Sequence, residues 1–343
     1  MTKYIIQRIL QAIPLLVIVA IIVFVLGSLS GNPFAYLAQD PRATEADRHL
    51  LMEKYGLNDS IPEQFVTWVI GDDWRMRDLN GDGEGETLGT RKGIVRGDFG
   101  DSISFRKPVS TVFAERIPTT LLLTGTAFAV TIVFALSIGI YAAMRQYSLF
   151  DNIITSISFI LFAMPVFLLA LILVQIFSVQ FQKWGLPSLP VQGMYDSRGD
   201  RSFDELIVHL ILPVASLASI SIAGYSRFIR ATMLEVINSD YIRTARAKGL
   251  NERRITFLHA FKNASLPLVT IVALDIPALL AGATITETIF SWPGMGRAFI
   301  QSVQPADPPL LMAYTMMLAV GVVTFQLFAD ILYSWLDPRI RFG

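Results

Sequence analysis

Between two long apolar runs lies the segment Asp240-Tyr-Ile-Arg-Thr-Ala-Arg-Ala-Lys-Gly249. The segment is basic and polar, whereas the flanking runs at about 206–225 and 266–290 contain few charged residues. Each run is long enough to cross the hydrocarbon core of a bilayer, which takes about 20 apolar residues. The segment is therefore expected to lie at the membrane surface, in a position where another molecule can bind it.

The same segment carries signals for a short helix. Asn238, Ser239 and Asp240 are all good N-cap residues, and Gly249 suits the left-handed position that follows a helix. These signals predict a helix of about two turns. A second start signal at Asn251 predicts another helix that runs towards the next apolar span.

Composition places the whole chain among membrane proteins. Of its 343 residues, 53% are hydrophobic and 16% are charged, and the mean hydropathy is +0.52. Such values indicate several membrane spans. The chain has no cysteine, which excludes disulfides and thiol chemistry. Six spans are predicted, at about 9–29, 119–144, 153–181, 206–225, 266–290 and 310–336. A cleaved secretory signal is the alternative for the first, although its apolar run is long for a signal.

The positive charges predict the orientation of the spans. Eight basic residues face three acidic ones in the loop between the fourth and fifth spans, and an excess of Lys and Arg is typical of cytoplasmic loops. The basic residues are Arg227, Arg230, Arg243, Arg246, Lys248, Arg253, Arg254 and Lys262, and the acidic ones are Glu235, Asp240 and Glu252. With six spans, both termini are then cytoplasmic.

The predicted organisation has three parts. Residues 1–30 form an N-terminal transmembrane helix, residues 31–118 a small extracytoplasmic subdomain, and residues 119–343 a core of five transmembrane helices with a cytoplasmic loop at about 227–266. The subdomain is predicted to contain helices over 62–70 and 108–116, the latter ending before Pro118.

Prolines and acidic residues interrupt the predicted spans. Pro165 and three other prolines predict kinks or breaks, which neighbouring helices can tolerate. Of the acidic residues, Glu287 and Asp330 are predicted to lie near the membrane interfaces. Asp275 is the candidate for a buried partner or a contact along a transport pathway, because charge inside a membrane is costly.

The outer subdomain contains an acidic, glycine-rich stretch at residues 78–86. Oxygen-bearing side chains alternate there as in the first part of a calcium loop, but Gly89 stands where the full pattern needs a bidentate Glu. We predict one Ca²⁺ that rigidifies this loop, and a solvated acidic turn is the alternative. The predicted ligands are Asp78, Asn80, Asp82, Glu84 through its carbonyl, and Glu86.

The basic segment and the residues after it resemble the EAA loop of ABC importer permeases of the dipeptide, oligopeptide and nickel branch. Further matches to that pattern are Glu287-Thr-Ile-Phe-Ser-Trp-Pro-Gly-Met-Gly-Arg297 and Leu336-Asp-Pro-Arg-Ile-Arg341. The resemblance covers nearly the whole chain. It departs from broader importers at Arg243-Thr-Ala245, where they have Glu-Ala-Ala, as is expected of the peptide branch.

The resemblance implies an all-α membrane protein of the type I ABC importer permease architecture, in the cytoplasmic membrane of a bacterium. It also implies that the short helix couples the permease to a cytoplasmic ATPase. The residues that would make this contact are Asp240, Tyr241, Arg243, Thr244, Ala245, Arg246, Ala247, Lys248 and Gly249. Implied partners are a second permease subunit, two ATPase subunits, an extracytoplasmic binding protein and the lipid bilayer, with no nucleic acid.

No catalytic site is predicted on this chain. The sequence contains no Gly-Lys dipeptide and so lacks the phosphate-binding loop of ATPases. ATP and Mg²⁺ are therefore expected on partner subunits, and no cofactor for transport is expected here. Two alternatives from other classes remain: a secondary transporter or channel driven by an ion gradient, and a membrane receptor with a calcium-binding outer part.

Overall fold

The computed structural model describes residues 2–29, 44, 52–53, 56, 58–78, 85, 87–196, 199–281, 283–304 and 307–336. Backbone contacts divide the chain into two compact units. One comprises Thr2–Arg116 and Ala298–Val323, and the other comprises Ile117–Arg297 and Thr324–Gly343. They are called the first and the second unit below.

Helices make up most of the described chain. In order they are α1 (Thr2–Leu29), α2 (Ile61–Ile70), α3 (Val109–Met144), α4 (Leu149–Ala163), α5 (Val166–Val174), α6 (Phe181–Lys183), α7 (Phe203–Ile237), α8 (Asp240–Ala247), α9 (Glu252–Arg254), α10 (Lys262–Ala281), α11 (Thr284–Ile289), α12 (Met295–Val303) and α13 (Pro308–Leu336). The strands form two antiparallel hairpins, β1 (Met76–Arg77) with β2 (Thr87–Leu88) and β3 (Asp101–Ser102) with β4 (Lys107–Pro108).

Five helical segments in the described residues are long and apolar enough to cross a membrane. They are Ile6–Leu29, Val109–Met144, Val166–Lys183, Phe203–Ile237 and Pro308–Phe328. These segments overlap the first, second, third, fourth and sixth predicted spans, but the third predicted span also includes most of α4, which the structure separates at Pro165. The fifth predicted span overlaps α10 and α11. The predicted class, an all-α membrane protein, is confirmed.

In the first unit, α1 and α2 share an aromatic core. The ring of Phe24 lies 5.3 Å from that of Phe65 and 5.7 Å from that of Trp68. At the start of α2, the Glu63 carboxylate accepts the backbone N–H of Ser60 at 3.0 Å, which is half of a capping box. The helix predicted over 62–70 is confirmed and begins one residue earlier.

The predicted calcium loop connects β1 to β2. Asp78 directly follows β1, whereas Asn80, Asp82, Glu84 and Glu86 lie outside the described residues. A side chain at Gly89 would place its Cβ 2.2 Å from Oδ1 of Asp72. The position where the full calcium pattern needs Glu is thus sterically reserved for glycine. The calcium site stays a prediction.

A carboxylate network fixes the segment before β3. Asp98 accepts the backbone N–H groups of Lys92 at 2.9 Å and Gly100 at 3.0 Å, and Nε of Arg91 at 3.3 Å. Burial alone would raise the pKa of Asp98, but these hydrogen bonds and the charge of Arg91 together hold the pKa below its ordinary value.

The prediction that a helix ends before Pro118 is wrong. α3 runs from Val109 through Pro118 to Met144 without a break. Side chains on both sides of the proline are fully buried, Val112 in the first unit and Leu123 in the second. Packing of this kind stabilises a helix enough to offset the one backbone hydrogen bond that proline removes.

The chain does break at Pro165, as predicted. α4 ends at Ala163, Met164 has extended backbone, and α5 begins after Pro165. Two π-helical segments also occur in the second unit, at Gln175–Gln180 and at Ile255–Phe261. The latter joins the short helix α9 to α10, and π turns are frequent at functional sites.

Candidate functional site

The short basic helix predicted between the apolar runs is confirmed as α8, over Asp240–Ala247. Two apolar side chains, Ile242 and Ala245, attach it to the rest of the second unit. Ile242 is completely buried in a cluster that includes Met233 of α7 and Ile255 and Ala260 of the following π-helical segment. α8 is thus held in place from one side.

The C-terminus of α8 forms a Schellman motif. The N–H of Gly249 donates to the carbonyl of Arg246 at 2.9 Å, and the N–H of Leu250 donates to that of Ala245 at 3.4 Å. Gly249 has φ of 76°, in the left-handed region that favours glycine. The predicted glycine corner is confirmed, and it turns the chain sharply into α9.

Among the described residues, the other side of α8 makes few contacts, one of which is a hydrogen bond from Asn263 to the Tyr241 hydroxyl at 3.2 Å. Of the nine residues predicted to contact an ATPase, all are exposed except Ala245, which is half-buried. Arg246 pairs with Glu252 at 2.9 Å and Arg243 lies 3.7 Å from Asp240, but all four side chains are widely exposed. Exposed pairs contribute about 0–1 kcal/mol, so the arginines remain available to a partner.

A cavity of about 280 Å³ lies in the second unit. Its lining is mostly apolar but contains Asp275 of α10 and Tyr225 of α7, and the Tyr225 hydroxyl donates a hydrogen bond to the Asp275 carboxylate. Asp275 was expected to have a buried partner or to face a pathway. Its partner Tyr225 is half-buried and the aspartate itself is exposed, so the pathway contact stays a prediction.

Glu287 is fully buried, whereas the sequence predicts a place near a membrane interface. Its carboxylate accepts the hydroxyl of Thr120 at 2.9 Å and the backbone N–H of Arg297 at 2.9 Å. The Thr120 hydroxyl in turn accepts the N–H of Met295 at 2.7 Å. Gly294 approaches so closely that an added Cβ would lie 2.3 Å from the carboxylate. Glu287 therefore fixes the turn between α11 and α12 against α3.

An ion pair between α4 and α7 was not predicted. Nε and Nη2 of Arg230 donate to the two carboxylate oxygens of Asp151 at 2.5 and 2.7 Å. The same carboxylate accepts the N–H of Tyr147 at 2.9 Å. The pair fixes the short turn before α4 to the part of α7 that leads into α8. The two residues are 79 positions apart, so no local sequence pattern indicates that they pair.

Metal-ligating side chains of the described residues converge at Asp196, Glu205 and His209, whose ligand atoms lie within 4.8 Å of one another. The sequence did not indicate this group. It lies at the start of α7, whereas α8 follows the end of that helix.

Two family matches cover most of the chain. Residues 135–342 match the family described as "Binding-protein-dependent transport system inner membrane component". Residues 1–124 match "Binding-prot-dependent transport system membrane comp, N-term". The fold and the two matches define a multi-pass permease of the inner membrane. The chain belongs to the binding-protein-dependent transport family, and the resemblance found in the sequence is confirmed.

Relatives match the chain from end to end. The oligopeptide transport system permease protein AppB of Bacillus subtilis (strain 168) is 40% identical over 345 residues, which is 100% of both chains. The dipeptide transport system permease protein DppB of Escherichia coli (strain K12) is 32% identical and covers 99% of each. A solved structure described as "Crystal structure of an amino acid ABC transporter with histidines" has 17% identity and a TM-score of 0.49, over 66% of this chain and 94% of that chain.

Proposed function

We propose that this chain is the permease subunit of an ATP-driven peptide importer in a bacterial cytoplasmic membrane. The observation that carries the proposal is α8, a basic helix that is anchored by Ile242 and exposed on its other side. Relatives with full-length matches are named as oligopeptide and dipeptide permeases. A peptide is therefore the favoured solute.

In the proposed assembly the chain forms half of the translocation pathway. A second, homologous permease subunit forms the other half, and each permease receives one cytoplasmic ATPase subunit at its α8. An extracytoplasmic binding protein delivers the solute, and hydrolysis of ATP takes place on the partners. ATPase closure shifts the permease between inward-facing and outward-facing states, which requires that the ATPase contacts differ between the two.

The proposed orientation places α8 and both termini in the cytoplasm. The excess of basic residues around α8 supports it, because Lys and Arg concentrate on the cytoplasmic side of membrane proteins. The first unit then carries the extracytoplasmic insertion, within the predicted range 31–118.

Asp275 is the proposed polar contact along the pathway. It is exposed to an otherwise mostly apolar cavity, and an acidic group in that setting attracts the ammonium group at the N-terminus of a peptide. Tyr225 holds the carboxylate by its hydroxyl and so limits the directions in which it can accept further bonds.

Reversal of one charge on α8 tests the docking proposal. In Arg243→Glu we expect the affinity for the ATPase subunits to fall at least about tenfold, because disrupting a charge contact at an interface costs about 2–5 kcal/mol. Co-purification of the ATPase and substrate-stimulated ATP hydrolysis measure the loss. Arg145→Glu is the matched control, since Arg145 is also exposed and lies between the second and third predicted spans, on the same side of the membrane as α8 in the six-span arrangement.

Equal co-purification and equal ATP hydrolysis in Arg243→Glu, Arg145→Glu and the unmodified protein would show that α8 does not dock the ATPase.

A second experiment addresses the energy source. Import by the chain reconstituted without any ATPase would instead favour transport driven by an ion gradient.

A further inference from the structure

At the start of α7, three side chains with metal-binding groups meet in the second unit. They are Asp196 and Glu205, which are carboxylates, and His209, an imidazole. We propose that they form a binding site for a divalent transition-metal ion of the zinc class, one that holds the loop before α7 against the helix. The site is separate from α8 and from the cavity at Asp275.

His209 carries the first part of the argument. Its side chain is only 2% exposed, and Nδ1 lies 2.9 Å from the backbone carbonyl of Glu205. Because a carbonyl can only accept, Nδ1 carries a proton, and in the neutral imidazole Nε2 then keeps its lone pair. Metal-binding histidines are oriented in the same way, by a hydrogen bond from the other ring nitrogen.

Nε2 of His209 has no hydrogen-bond partner among the residues that the structure describes, although it is buried. Its nearest charged atom is Oδ1 of Asp196, 3.6 Å away, which is too far for a hydrogen bond. A buried acceptor without a partner is costly. A cation between Nε2 and Oδ1 removes this cost for Nε2.

Glu205 is held in position by the loop itself. The N–H of Asp196 donates to its Oε1 at 2.5 Å and the N–H of Arg201 donates to its Oε2 at 2.9 Å. Each carboxylate oxygen retains a second lone pair for a metal. A Cβ at Gly199 would lie 2.0 Å from Oε1, so the loop can close around the carboxylate only with glycine there.

The donor set selects the class of metal, and the spacing of one ligand pair is compatible with it. One imidazole nitrogen and two carboxylate oxygens suit Zn²⁺, Co²⁺ or Ni²⁺, whereas Ca²⁺ and Mg²⁺ prefer oxygen alone. Two ligands on one tetrahedral Zn²⁺ lie about 3.4 Å apart, given bonds of about 2.0–2.1 Å. The 3.6 Å between Nε2 of His209 and Oδ1 of Asp196 is close to this value. Asp196 is 74% exposed, which leaves a route for the ion and room for water.

The bound ion would act as a clamp at the end of α7 farthest from α8. α7 has 35 residues and is therefore about 52 Å long. The loop is also tied to the end of α11, since the N–H of Gly193 donates to the carbonyl of Phe290 at 2.8 Å. On the proposed function's orientation, the site faces the extracytoplasmic side, but metal binding itself does not depend on that function.

The test is metal binding by the full-length chain, purified in detergent and stripped with a chelator. Titration with Zn²⁺ is followed by calorimetry, and titration with Co²⁺ by the visible absorption of a site with nitrogen and oxygen ligands. We expect one site per chain, with affinity at least about tenfold lower in both His209→Gln and Asp196→Asn.

Matched controls separate this site from others. Asp204→Asn removes an exposed carboxylate in the same turn of α7, and His259→Gln removes another histidine; neither should change the affinity. Because Asp196 is exposed, its variant remains informative if the His209 variant does not fold. Lack of Zn²⁺ and Co²⁺ binding by the unmodified chain overturns the proposal, as does unchanged binding in Asp196→Asn. Binding of Ca²⁺ alone also contradicts it and points to the acidic loop. ATPase docking can fail independently, because this assay contains no ATPase.

Discussion

The pair between Asp151 and Arg230 predicts an asymmetric response to mutation. The Asp151 side chain is 2% exposed, whereas that of Arg230 is 25% exposed. Loss of Arg230 therefore leaves the Asp151 carboxylate unpaired and out of contact with water. Loss of the Asp151 charge instead leaves the Arg230 guanidinium, which water can still hydrate. Removing one partner of a buried ion pair costs about 3–5 kcal/mol of stability. We expect a loss of this size for Arg230→Gln.

Asp151→Asn should be milder. Its remaining side-chain oxygen can still accept the N–H of Tyr147, which lies 2.9 Å from the carboxylate in the native protein. We expect a loss of about 1–2 kcal/mol for this variant. The double variant should resemble Asp151→Asn alone rather than the sum of both changes, because neither charge is then left without its partner.

Thermal unfolding in detergent at one fixed scan rate measures these differences as apparent midpoints. The expected shifts are about 6–10 °C for Arg230→Gln and about 2–4 °C for Asp151→Asn. The control is Arg227→Gln on the same helix, where the guanidinium lies 4.5 Å from the ring centre of Phe159 and its loss costs about 0.5–2 kcal/mol. A larger shift in Asp151→Asn than in Arg230→Gln, or additive shifts in the double variant, refutes the reasoning.

Three further predictions concern single positions. Gly249→Ala should cost about 1–2 kcal/mol of stability, because an added Cβ meets no atom within 4 Å and the cost comes only from the left-handed backbone. Gly249→Asn should unfold at a temperature closer to that of the native protein. Equal unfolding midpoints for the native protein and both variants would disprove this backbone strain. Glu287→Gln should lose about 1–3 kcal/mol, since the amide cannot accept from both of its two donors, and an unchanged midpoint contradicts this. Asp98 has a lowered pKa, so its stabilising contribution is full above the unfolded pKa of about 3.9 and is lost as pH falls through the folded value. Asp98→Asn should therefore lose less stability than the native protein below about pH 4. Parallel profiles of stability against pH for the two proteins rule the effect out.

Local signals predicted the parts of the structure that are local in sequence. The caps and the glycine of α8 lie within a dozen residues of one another, so the helix and its sharp end could be read directly. The apolar runs were equally clear, because each needs only its own composition to be recognised. The break at Pro165 is also local, because a proline disfavours helical backbone at the residue before it, here Met164.

Features that depend on distant partners were missed. Glu287 is buried because Thr120, 167 residues away, supplies a donor, and no pattern near Glu287 indicates this. α3 passes through Pro118 because side chains on both flanks are buried by other elements. His209 meets Asp196 only because the intervening loop folds back around Glu205.

The two connections of α8 to the membrane helices differ in stiffness. On one side α7 is a single α-helix of 35 residues that ends just before α8. On the other side the chain passes through the π-helical segment Ile255–Phe261 before α10 begins. A π turn holds one more residue than an α turn and can relax to it by a change of register. A force on α8 would thus travel along α7 as a rigid displacement, whereas the path into α10 can absorb part of it as a twist.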